Sequence, residues 1–332
     1  MSEHIEFVKV LKEPENPSDH FQWMNRVSAL KVKGEKWKNF PPVSMFHGKN
    51  RDKKDFWLWD KAKNFKVYPD DIFLCGYMRS GNTMMQEMIW LIVNDFDFVK
   101  AKSIIRGKRF PYFDVYDVTQ KMRDGENYER MEDMARPRCF KSHFPTQLLP
   151  DDIWQQKPKI IHMSRNVKDV AVSTYYFLKD VANIKGTLDE FYEDFLNDKV
   201  LFTPYREHYL NYINLPDYPN IMYLTYEWVT QNMDETIHKV TKFLGKEISD
   251  ENFKLLKEHM SFESMKNNAA CNNEKYIQEC NKRAGGTGEI QGQIRKGKIG
   301  GHKSEMSNEM AERFDKWMEE GLKLNQGFLY KS

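Results

Sequence analysis

The chain has 332 residues, of which 40% are hydrophobic and 14% aromatic, and its formal net charge is +2. This length suits one large α/β domain or two small ones, and a near-neutral charge without a long basic block argues against a nucleic-acid or membrane-surface partner. The first residues carry acidic side chains and no apolar run reaches the length of a membrane span. We therefore expect no signal peptide, no membrane partner and a cytoplasmic protein.

The N-terminal part, residues 1–66, is rich in charged residues and in Trp and Phe. We expect it to form a partly irregular segment that packs on a single domain made by residues 67–332. Its aromatic side chains are predicted to contact the core of that domain; the alternative is that they line a pocket.

The most informative stretch is a strand, a turn and a helix between residues 71 and 94. The apolar run Asp71–Tyr77 predicts a buried strand, and the apolar positions from Met84 onward recur at helical spacing. Between them, Gly81 lets the backbone approach a ligand closely. The free N–H groups and the dipole at the start of a helix favour a phosphate, and Arg79 adds a charge that can grip it with two N–H bonds. A P-loop-like phosphate site is therefore predicted here.

The residue order in this turn differs from that of a nucleotide hydrolase. Gly76 and Gly81 have the G-x-x-x-x-G spacing of a Walker loop, but Asn82 stands where such a loop has Lys. The cation lies before the turn, at Arg79. This pattern favours a phosphate ester other than ATP or GTP; the alternative is a strand-to-helix turn that binds no ligand. The further hydrogen-bond donors of the loop are Ser80, Asn82 and Thr83.

Strands and helices alternate along the rest of the chain. The later predicted strands are Arg138–Ser142, Lys159–Ser164 and Ile221–Tyr226. The predicted helices are Asn166–Lys179, Leu188–Leu196, Pro204–Ile213, Asp234–Leu244, Asp250–His259 and Ser307–Leu322. Residues 95–138 are predicted to be loops and short helices, and the polar residues 265–303 a long loop. The alternation predicts an α/β fold with a central parallel sheet flanked by helices on both faces.

A candidate catalytic pair follows the second predicted strand. Ligands of open α/β sheets gather beyond the carboxyl ends of the strands, where Lys141-Ser142-His143 lies. His143 titrates near neutral pH and can take a proton from an alcohol or phenol. Lys141 points to the same side of the strand and can stabilise an anionic group in transfer. The alternative is a structural histidine, which is the usual role of an isolated one.

Two further stretches are candidates for a second anion site. Arg165 follows the third strand, and Ser173 lies about two turns into the next helix on roughly the same side. In Arg295–Gly301, three cations and three glycines predict a flexible anion-binding lid. The alternatives are an Arg165 that pairs with a carboxylate, a Ser173 that caps or packs, and a solvated loop.

The four cysteines have no C-x-x-C spacing, so neither a zinc site nor a redox motif is predicted. Cys75 and Cys139 lie in apolar runs and are predicted to be buried thiols. Cys271 and Cys280 lie in a polar stretch, which favours exposure. The pattern suits a reducing compartment.

Taken together, these stretches resemble the cytosolic sulfotransferase family from about residue 66 to the end of the chain. YMRSGNTM is similar to the family's phosphosulfate loop Y-P-K-S-G-T-T-W, KSHFP to its catalytic-histidine segment, and RNVKDVAVS to its 3′-phosphate segment. TYEWV, HMSFESMK and QIRKGKIGG resemble its Y-E-D-M, T-S-F-x-x-M-K and R-K-G-x-x-G-x-W segments. All six occur in the family's order and spacing, so the set is highly specific.

The resemblance implies the cofactor 3′-phosphoadenosine 5′-phosphosulfate (PAPS), the product adenosine 3′,5′-bisphosphate (PAP), and no metal. It implies that His143 is the general base, that Lys141 and Arg79 are catalytic cations, and that Lys141, Ser142 and His143 contact the acceptor. The implied cofactor-binding residues are Arg79, Ser80, Gly81, Asn82, Thr83, Met84, Arg165, Ser173, Tyr226, Met260, Ser261, Phe262, Met265, Ile294, Arg295, Lys296 and Gly297.

Several positions depart from the family pattern. Arg79 replaces Lys, and Arg keeps the charge but does not donate a proton to a leaving group. Met84 and His302 each replace a Trp, which changes the predicted adenine contacts. Lys303 to Glu312 only half matches the family's dimer motif, so we expect a monomer or a weak homodimer. Arg and Met also occur in the first loop of some insect members, so the resemblance extends to insect sequences.

The sequence therefore predicts a PAPS-dependent sulfotransferase that acts on a hydroxyl of a small lipophilic acceptor such as a phenol, alcohol, steroid or retinoid-like molecule. The alternatives are a catalytically impaired protein that binds a nucleotide and a lipophile, and a nucleotide-dependent kinase with a degenerate loop. With an allylic alcohol, a further alternative is elimination after sulfonation, because an alkyl sulfate is a good leaving group.

Overall fold

The computed structural model describes residues 5–12, 27–32, 43–46, 61–114, 126–215 and 218–324. Its N-terminal part contains an antiparallel sheet in the order β1 (Ile5–Lys12), β2 (Val27–Val32) and β3 (Val43–Phe46). Composition alone does not reveal this small sheet. The division of the chain near residue 66 stays a prediction.

A second sheet of four parallel strands positions the site. Its strands are β4 (Ile72–Cys75), β5 (Cys139–Ser142), β6 (Lys159–Ser164) and β7 (Ile221–Thr225), in the spatial order β5-β4-β6-β7. Cys75, the last residue of β4, pairs with Ser142 on one side and His162 on the other. The predicted central parallel sheet is confirmed, and its carboxyl ends meet at one edge.

Helices connect the strands and cover the sheet. In chain order they are α1 (Asn82–Val93), α2 (Phe98–Ser103), α3 (Arg106–Arg109), α4 (Glu126–Glu132), α5 (Ile153–Gln156), α6 (Val167–Ala182), α7 (Leu188–Leu196), α8 (Tyr205–Ile213), α9 (Tyr226–Gln231), α10 (Met233–Phe243), α11 (Asp250–His259), α12 (Phe262–Asn267), α13 (Ala269–Asn272), α14 (Glu274–Arg283) and α15 (Asn308–Leu324). Within the described ranges, none of them has both the length and the apolarity needed to cross a membrane.

The buried side chains of β4 alternate between two hydrophobic clusters. Phe73 and Cys75 join the cluster that includes α6, whereas Ile72 and Leu74 join the cluster that includes α1. This alternation follows from the two-residue period of a strand. Both faces of the sheet are therefore covered, as the sequence predicts.

The prediction of a long loop over residues 265–303 is wrong for residues 265–283, whereas residues 284–300 contain no helix or strand. The first part of this range is helical, with the end of α12 followed by α13 and α14. Cys271 and Cys280 are both buried, contrary to the expected exposure. Cys271 lies on α13 and joins the hydrophobic cluster that includes α1, whereas α14 is amphipathic and packs Ile277 and Cys280 into the core beside α6. Burial raises the pKa of the Cys271 thiol to about 12, so this cysteine is unreactive.

Candidate active site

A cavity of about 900 Å³ opens at the carboxyl edge of the parallel sheet. It is lined by the turn after β4, the end of β5, the inner face of α6 and residues 293–302. Apart from Ser80 and Ser142, which are fully buried, the residues that the sequence assigns to the site all line this cavity. Segments far apart in the chain are thus brought together, while the role of each residue stays a prediction.

The turn between β4 and α1 is shaped by Gly81, whose φ of 94° lies in the left-handed region. A Cβ atom there would lie 2.8 Å from the Tyr226 ring, so glycine is required. Asn82 closes the turn, because its Nδ2 donates to the Tyr77 carbonyl at 3.0 Å. The first N–H groups of α1 have no partner within the helix, which makes this end of the helix suited to an anion.

Arg79 connects this turn to α6 and to Gln293. Its Nε donates to Ser173 Oγ at 3.0 Å, and its Nη2 donates to the Gln293 carbonyl at 2.8 Å. Burial and the charges of Arg165 and Arg295 lower the pKa of Arg79 to about 9. The guanidinium is charged at neutral pH among like charges, and a bound anion would relieve this repulsion.

Arg165 is the cation that follows β6. Its Nη1 donates to the Arg79 carbonyl at 3.1 Å, its Nη2 donates to the Lys298 carbonyl at 3.2 Å, and its guanidinium lies 4.3 Å from the centroid of the Tyr226 ring. Its Nε is buried and has no hydrogen-bond partner among the described residues. Because an unpaired buried N–H is unfavourable, this atom indicates where an anion fits.

Asp169 holds the segment that closes over Arg165. Its carboxylate accepts from the N–H of Gly300 at 2.8 Å, the N–H of His302 at 2.9 Å and Nδ1 of His302 at 2.7 Å. Burial would raise the pKa of Asp169, but the hydrogen bonds from His302 and the charge of Arg165 hold it below its ordinary value. His302 therefore anchors this segment. The sequence analysis missed Asp169, although its i+4 spacing from Arg165 was a usable signal.

Two further cations of the segment share one carboxylate. Arg295 Nη1 and Lys296 Nζ lie 2.9 and 2.5 Å from Glu305 Oε1. Burial would raise the pKa of Glu305, but hydrogen bonds from Lys296, Tyr176 and Arg295 lower it to about 2. Glu305, which the sequence analysis also missed, thus orients both cations toward the rim of the cavity.

A third part of the wall is apolar and suits a flat ring. Phe262 packs against Gly297, where φ is 62° and a Cβ atom would lie 2.4 Å from the ring. Ser261 caps α12, because its Oγ accepts from the N–H of Ser264 at 3.2 Å. The remaining predicted residues of this wall are Met84, Tyr226, Met260, Met265 and Ile294.

His143 follows β5 and has a defined tautomer. Its Nδ1 lies 2.6 Å from the carbonyl oxygen of Gly76, and because a carbonyl only accepts, Nδ1 carries the proton. The other nitrogen, Nε2, is then the hydrogen-bond acceptor. Burial and the charge of Lys141 lower the pKa of His143 well below its ordinary value, so the ring is neutral at neutral pH. Tyr112 and Phe202 contact the ring, with centroid distances of 5.2 and 5.5 Å.

Lys141 lies in the same part of the cavity, with its Nζ 4.2 Å from the centroid of the Tyr112 ring. Burial and the charge of Arg106 lower its pKa to about 7, with a smaller contribution from Arg79, while Asp114 acts in the opposite direction. An anion in the cavity would favour the protonated form.

Asp114 orients the end of β5, and the sequence analysis missed it. Its carboxylate accepts from the N–H of His143 and from the hydroxyl of Ser142. Burial raises the pKa of Asp114 to about 7 despite these bonds. Ser142 is fully buried, does not line the cavity and donates its hydroxyl to Asp114, so the geometry does not favour its predicted contact with an acceptor. No local pattern identifies Asp114, because pairing of Tyr112 with Lys141 brings it to this strand end.

The residues present fit a ligand with two anionic ends and a flat apolar part. A bound anion would accept a hydrogen bond from the unpaired Nε of Arg165 and would offset the repulsion among Arg79, Arg165 and Arg295. The start of α1 offers a second anion site, and the wall around Phe262 suits a purine. PAPS has these three features.

A parallel sheet whose carboxyl edge carries a glycine-shaped turn and a cationic cavity is the arrangement expected of a group-transfer enzyme that uses a nucleotide. Residues 69–326 match the family model described as the sulfotransferase domain, so the chain belongs to the sulfotransferase family and is a sulfotransferase. The predicted family, enzyme class, donor PAPS and product PAP are thereby confirmed. This membership also favours sulfonate transfer over the nucleotide-dependent kinase.

Curated relatives agree with this membership. The chain is 32% identical over 277 residues to luciferin sulfotransferase of Photinus pyralis, and the alignment covers 79% of this chain and 74% of the relative. It is 31% identical over 273 residues to sulfotransferase 1E1 of Bos taurus, with coverage of 82% and 90%.

Solved structures extend the similarity over the whole chain. Retinol dehydratase in complex with androsterone and inactive cofactor PAP has a TM-score of 0.75 at 25% identity and covers 99% of both chains. Retinol dehydratase in a complex with retinol and PAP has a TM-score of 0.75 at 26% identity and covers 98% of both chains.

Proposed function

We propose that this protein transfers the sulfonate group of PAPS to a hydroxyl of a small lipophilic acceptor, with His143 as general base. The proposal rests on the bond between His143 Nδ1 and the Gly76 carbonyl at 2.6 Å, which leaves Nε2 as the acceptor atom of a neutral ring. A ring in this state can take a proton from an alcohol or phenol.

The cations around His143 complete the proposed chemistry. When bound, PAPS supplies the sulfonate group. Arg165, Ser173 and Arg295 would hold its 3′-phosphate, and the segment from Arg79 to Met84 would hold its 5′ end. His143 Nε2 would take the proton of the acceptor hydroxyl, so that the hydroxyl oxygen could take the sulfonate from the phosphate oxygen of the donor. Lys141 and Arg79 offset the charge that develops on the sulfonate and the leaving oxygen.

The acceptor class is inferred from the other side chains of the cavity. Tyr112 and Phe202 contact the His143 ring, Phe110 and Phe177 also line the cavity, and all four present apolar surface. The androsterone and retinol of the two retinol dehydratase complexes are lipophilic molecules of this kind. A lipophilic alcohol or phenol therefore fits this cavity.

The test is His143→Gln, assayed for sulfonate transfer from PAPS over a panel of phenols, steroids and long-chain alcohols. Turnover should fall by about 10²-fold or more, as for lost general-base catalysis. Binding of PAP, measured by calorimetry, should stay unchanged. His238→Gln is the matched control, because this exposed histidine stacks on Phe253 away from the cavity. Near-normal turnover of His143→Gln would overturn its role as base.

Elimination is a second candidate outcome for allylic alcohols, and the similarity to two retinol dehydratase structures favours it. After the sulfate ester forms, its C–O bond breaks, sulfate leaves with the electron pair, and loss of a proton gives an alkene. The product mass from an allylic alcohol decides between the two outcomes. A stable sulfate ester as the only product would rule elimination out for that acceptor.

A further inference from the structure

Arg106 is a buried cation of the cavity wall to which the proposed reaction assigns no role. It begins α3, lines the cavity and is 3% exposed. Its Nη2 donates to Gln293 Oε1 at 3.3 Å, and its Nη1 is buried without a hydrogen-bond partner among the described residues. Arg109, one turn later, pairs with Glu87 at 2.7 Å, but the described part of the chain offers Arg106 no carboxylate.

Arg106 lies beside Lys141 rather than beside the predicted 3′-phosphate site. Its charge helps to lower the pKa of Lys141, whereas the cations that lower the pKa of Arg79 are Arg165 and Arg295. The backbone agrees with this position, because Arg106 begins the segment that leads to Tyr112, which pairs with Lys141. Gln293 also joins Arg106 to the turn after β4, since its Nε2 donates to Thr83 Oγ1 at 2.8 Å and its carbonyl accepts from Arg79. The proposed donor contacts of Arg79, Arg165 and Arg295 leave Arg106 without an assigned anion.

The surroundings of Arg106 combine one charge with apolar surface. Ile105 and Phe110, on either side of it in the chain, also line the cavity. A buried guanidinium is costly unless an anion pairs with it, and its planar fork matches a carboxylate.

We propose that Arg106 binds an anionic group of the acceptor, so that the preferred acceptor is a lipophilic hydroxy acid. One end of such a molecule presents its hydroxyl to His143 and Lys141, and its carboxylate pairs with Arg106. This inference rests on the proposed function and narrows its acceptor class. Arg106 then acts as a specificity-determining residue and takes no part in proton transfer.

The test uses 4-hydroxyphenyl alkanoic acids of increasing chain length, each paired with its neutral methyl ester. Every pair is titrated into the PAP-bound protein and assayed with PAPS. At least one acid should bind about tenfold more tightly than its ester, as expected for a hydrogen-bonded charge pair. Arg106→Met should abolish this preference while ester binding persists. Lys108→Met, an exposed change on the same helix, should leave the preference intact.

The contrary results separate this inference from the proposed function. Equal binding of every acid and ester by the wild type would overturn the inference, and it needs no variant. An Arg106→Met protein that binds PAPS weakly but PAP normally would assign Arg106 to the donor sulfonate and also overturn it. If Arg106→Met fails to fold, Arg106→Lys should lower the preference several-fold, because Lys lacks the two parallel N–H groups. Sulfonate transfer to esters without a preference for acids would overturn the inference and preserve the proposed function. PAP binding without sulfonate transfer to any acceptor would refute the proposed function.

Discussion

The cavity has two halves that are held in different ways. In the donor half, lined by Arg79, Arg165, Ser173 and Arg295, charged side chains bond to the backbone and side chains of distant segments. In the acceptor half, lined by residues such as Tyr112, Val181 and Phe202, the wall is mainly packed apolar surface. We therefore expect the donor half to select one pattern of charge, and the acceptor half to select size, apolarity and the single carboxylate proposed to pair with Arg106.

The largest expected effect comes from Arg165→Met in the donor half. This change removes the guanidinium that links Arg79 to Lys298. PAP affinity, measured by calorimetry, should fall by about 10²- to 10³-fold, as for truncation of a buried, hydrogen-bonded charge pair. Lys168→Met is the control, because Lys168 pairs with Asp315 on the outer side of α6. If both variants bind PAP normally, the donor half lies elsewhere.

The pH dependence of PAPS binding tests the role of Lys141. The pKa of this residue is about 7, mainly because of burial and the charge of Arg106. We propose that the protonated amine contacts the bound donor, so that binding above pH 7 requires proton uptake by Lys141 and binding well below pH 7 does not. The dissociation constant of PAPS should therefore rise about fivefold between pH 7 and 8 and level off at lower pH.

Lys141→Met should remove this pH dependence. Asp114, whose pKa is also about 7, faces Lys141 and gains charge over the same pH range. An unchanged slope in Lys141→Met would assign the effect to Asp114 or another group.

Asp114→Asn tests the polar support of the acceptor half. The carboxylate accepts two hydrogen bonds, from His143 and Ser142, and the amide of Asn can replace only one acceptor. We expect kcat to fall about five- to tenfold through misplacement of His143, with PAP affinity unchanged. A parallel loss of PAP affinity would show that the two halves are not independent.

The smallest expected effect is that of Val181→Ala, which shortens one apolar side chain of the acceptor half. Val181 is buried and lines the cavity. The KM of a lipophilic acceptor should rise about two- to fourfold, because the two lost methyl groups cover only part of the acceptor surface, and PAP binding should not change. Val200→Ala, in the core outside the cavity lining, is the matched control. Equal effects of both changes would indicate loss of stability rather than of acceptor contact.

The donor half was predictable because its residues stand in short contiguous motifs. Arg79 to Met84 form one turn, and Arg165 and Ser173 lie on one strand end and the following helix. Strand–turn–helix geometry follows from local periodicity, so these residues could be placed without knowledge of the tertiary structure.

The acceptor half was not predictable in the same way. Asp114 contacts His143 although the two residues lie 29 positions apart in the chain. Arg106 reaches the cavity on a four-residue helix whose sequence has no apolar residues at helical spacing. The helices within residues 265–303 escaped detection because α14 is strongly polar and has few apolar positions. Its burial depends on packing against α6, which no local pattern encodes.

The inner face of α6 has a consequence for how this enzyme can change. Asp169, Ser173, Phe177 and Val181 line the cavity at intervals of four residues, and they pass from the donor half to the acceptor half. At 1.5 Å per residue they span roughly 18 Å, so α6 fixes the distance between the predicted anion site and the acceptor wall. Inserting one residue after Ser173 would rotate Phe177 and Val181 by about 100° and turn them away from the ligand. New acceptor sizes are therefore accommodated by substitutions on this face, such as Val181→Ala, or by the loops and short helices opposite α6, and not by insertions into the helix.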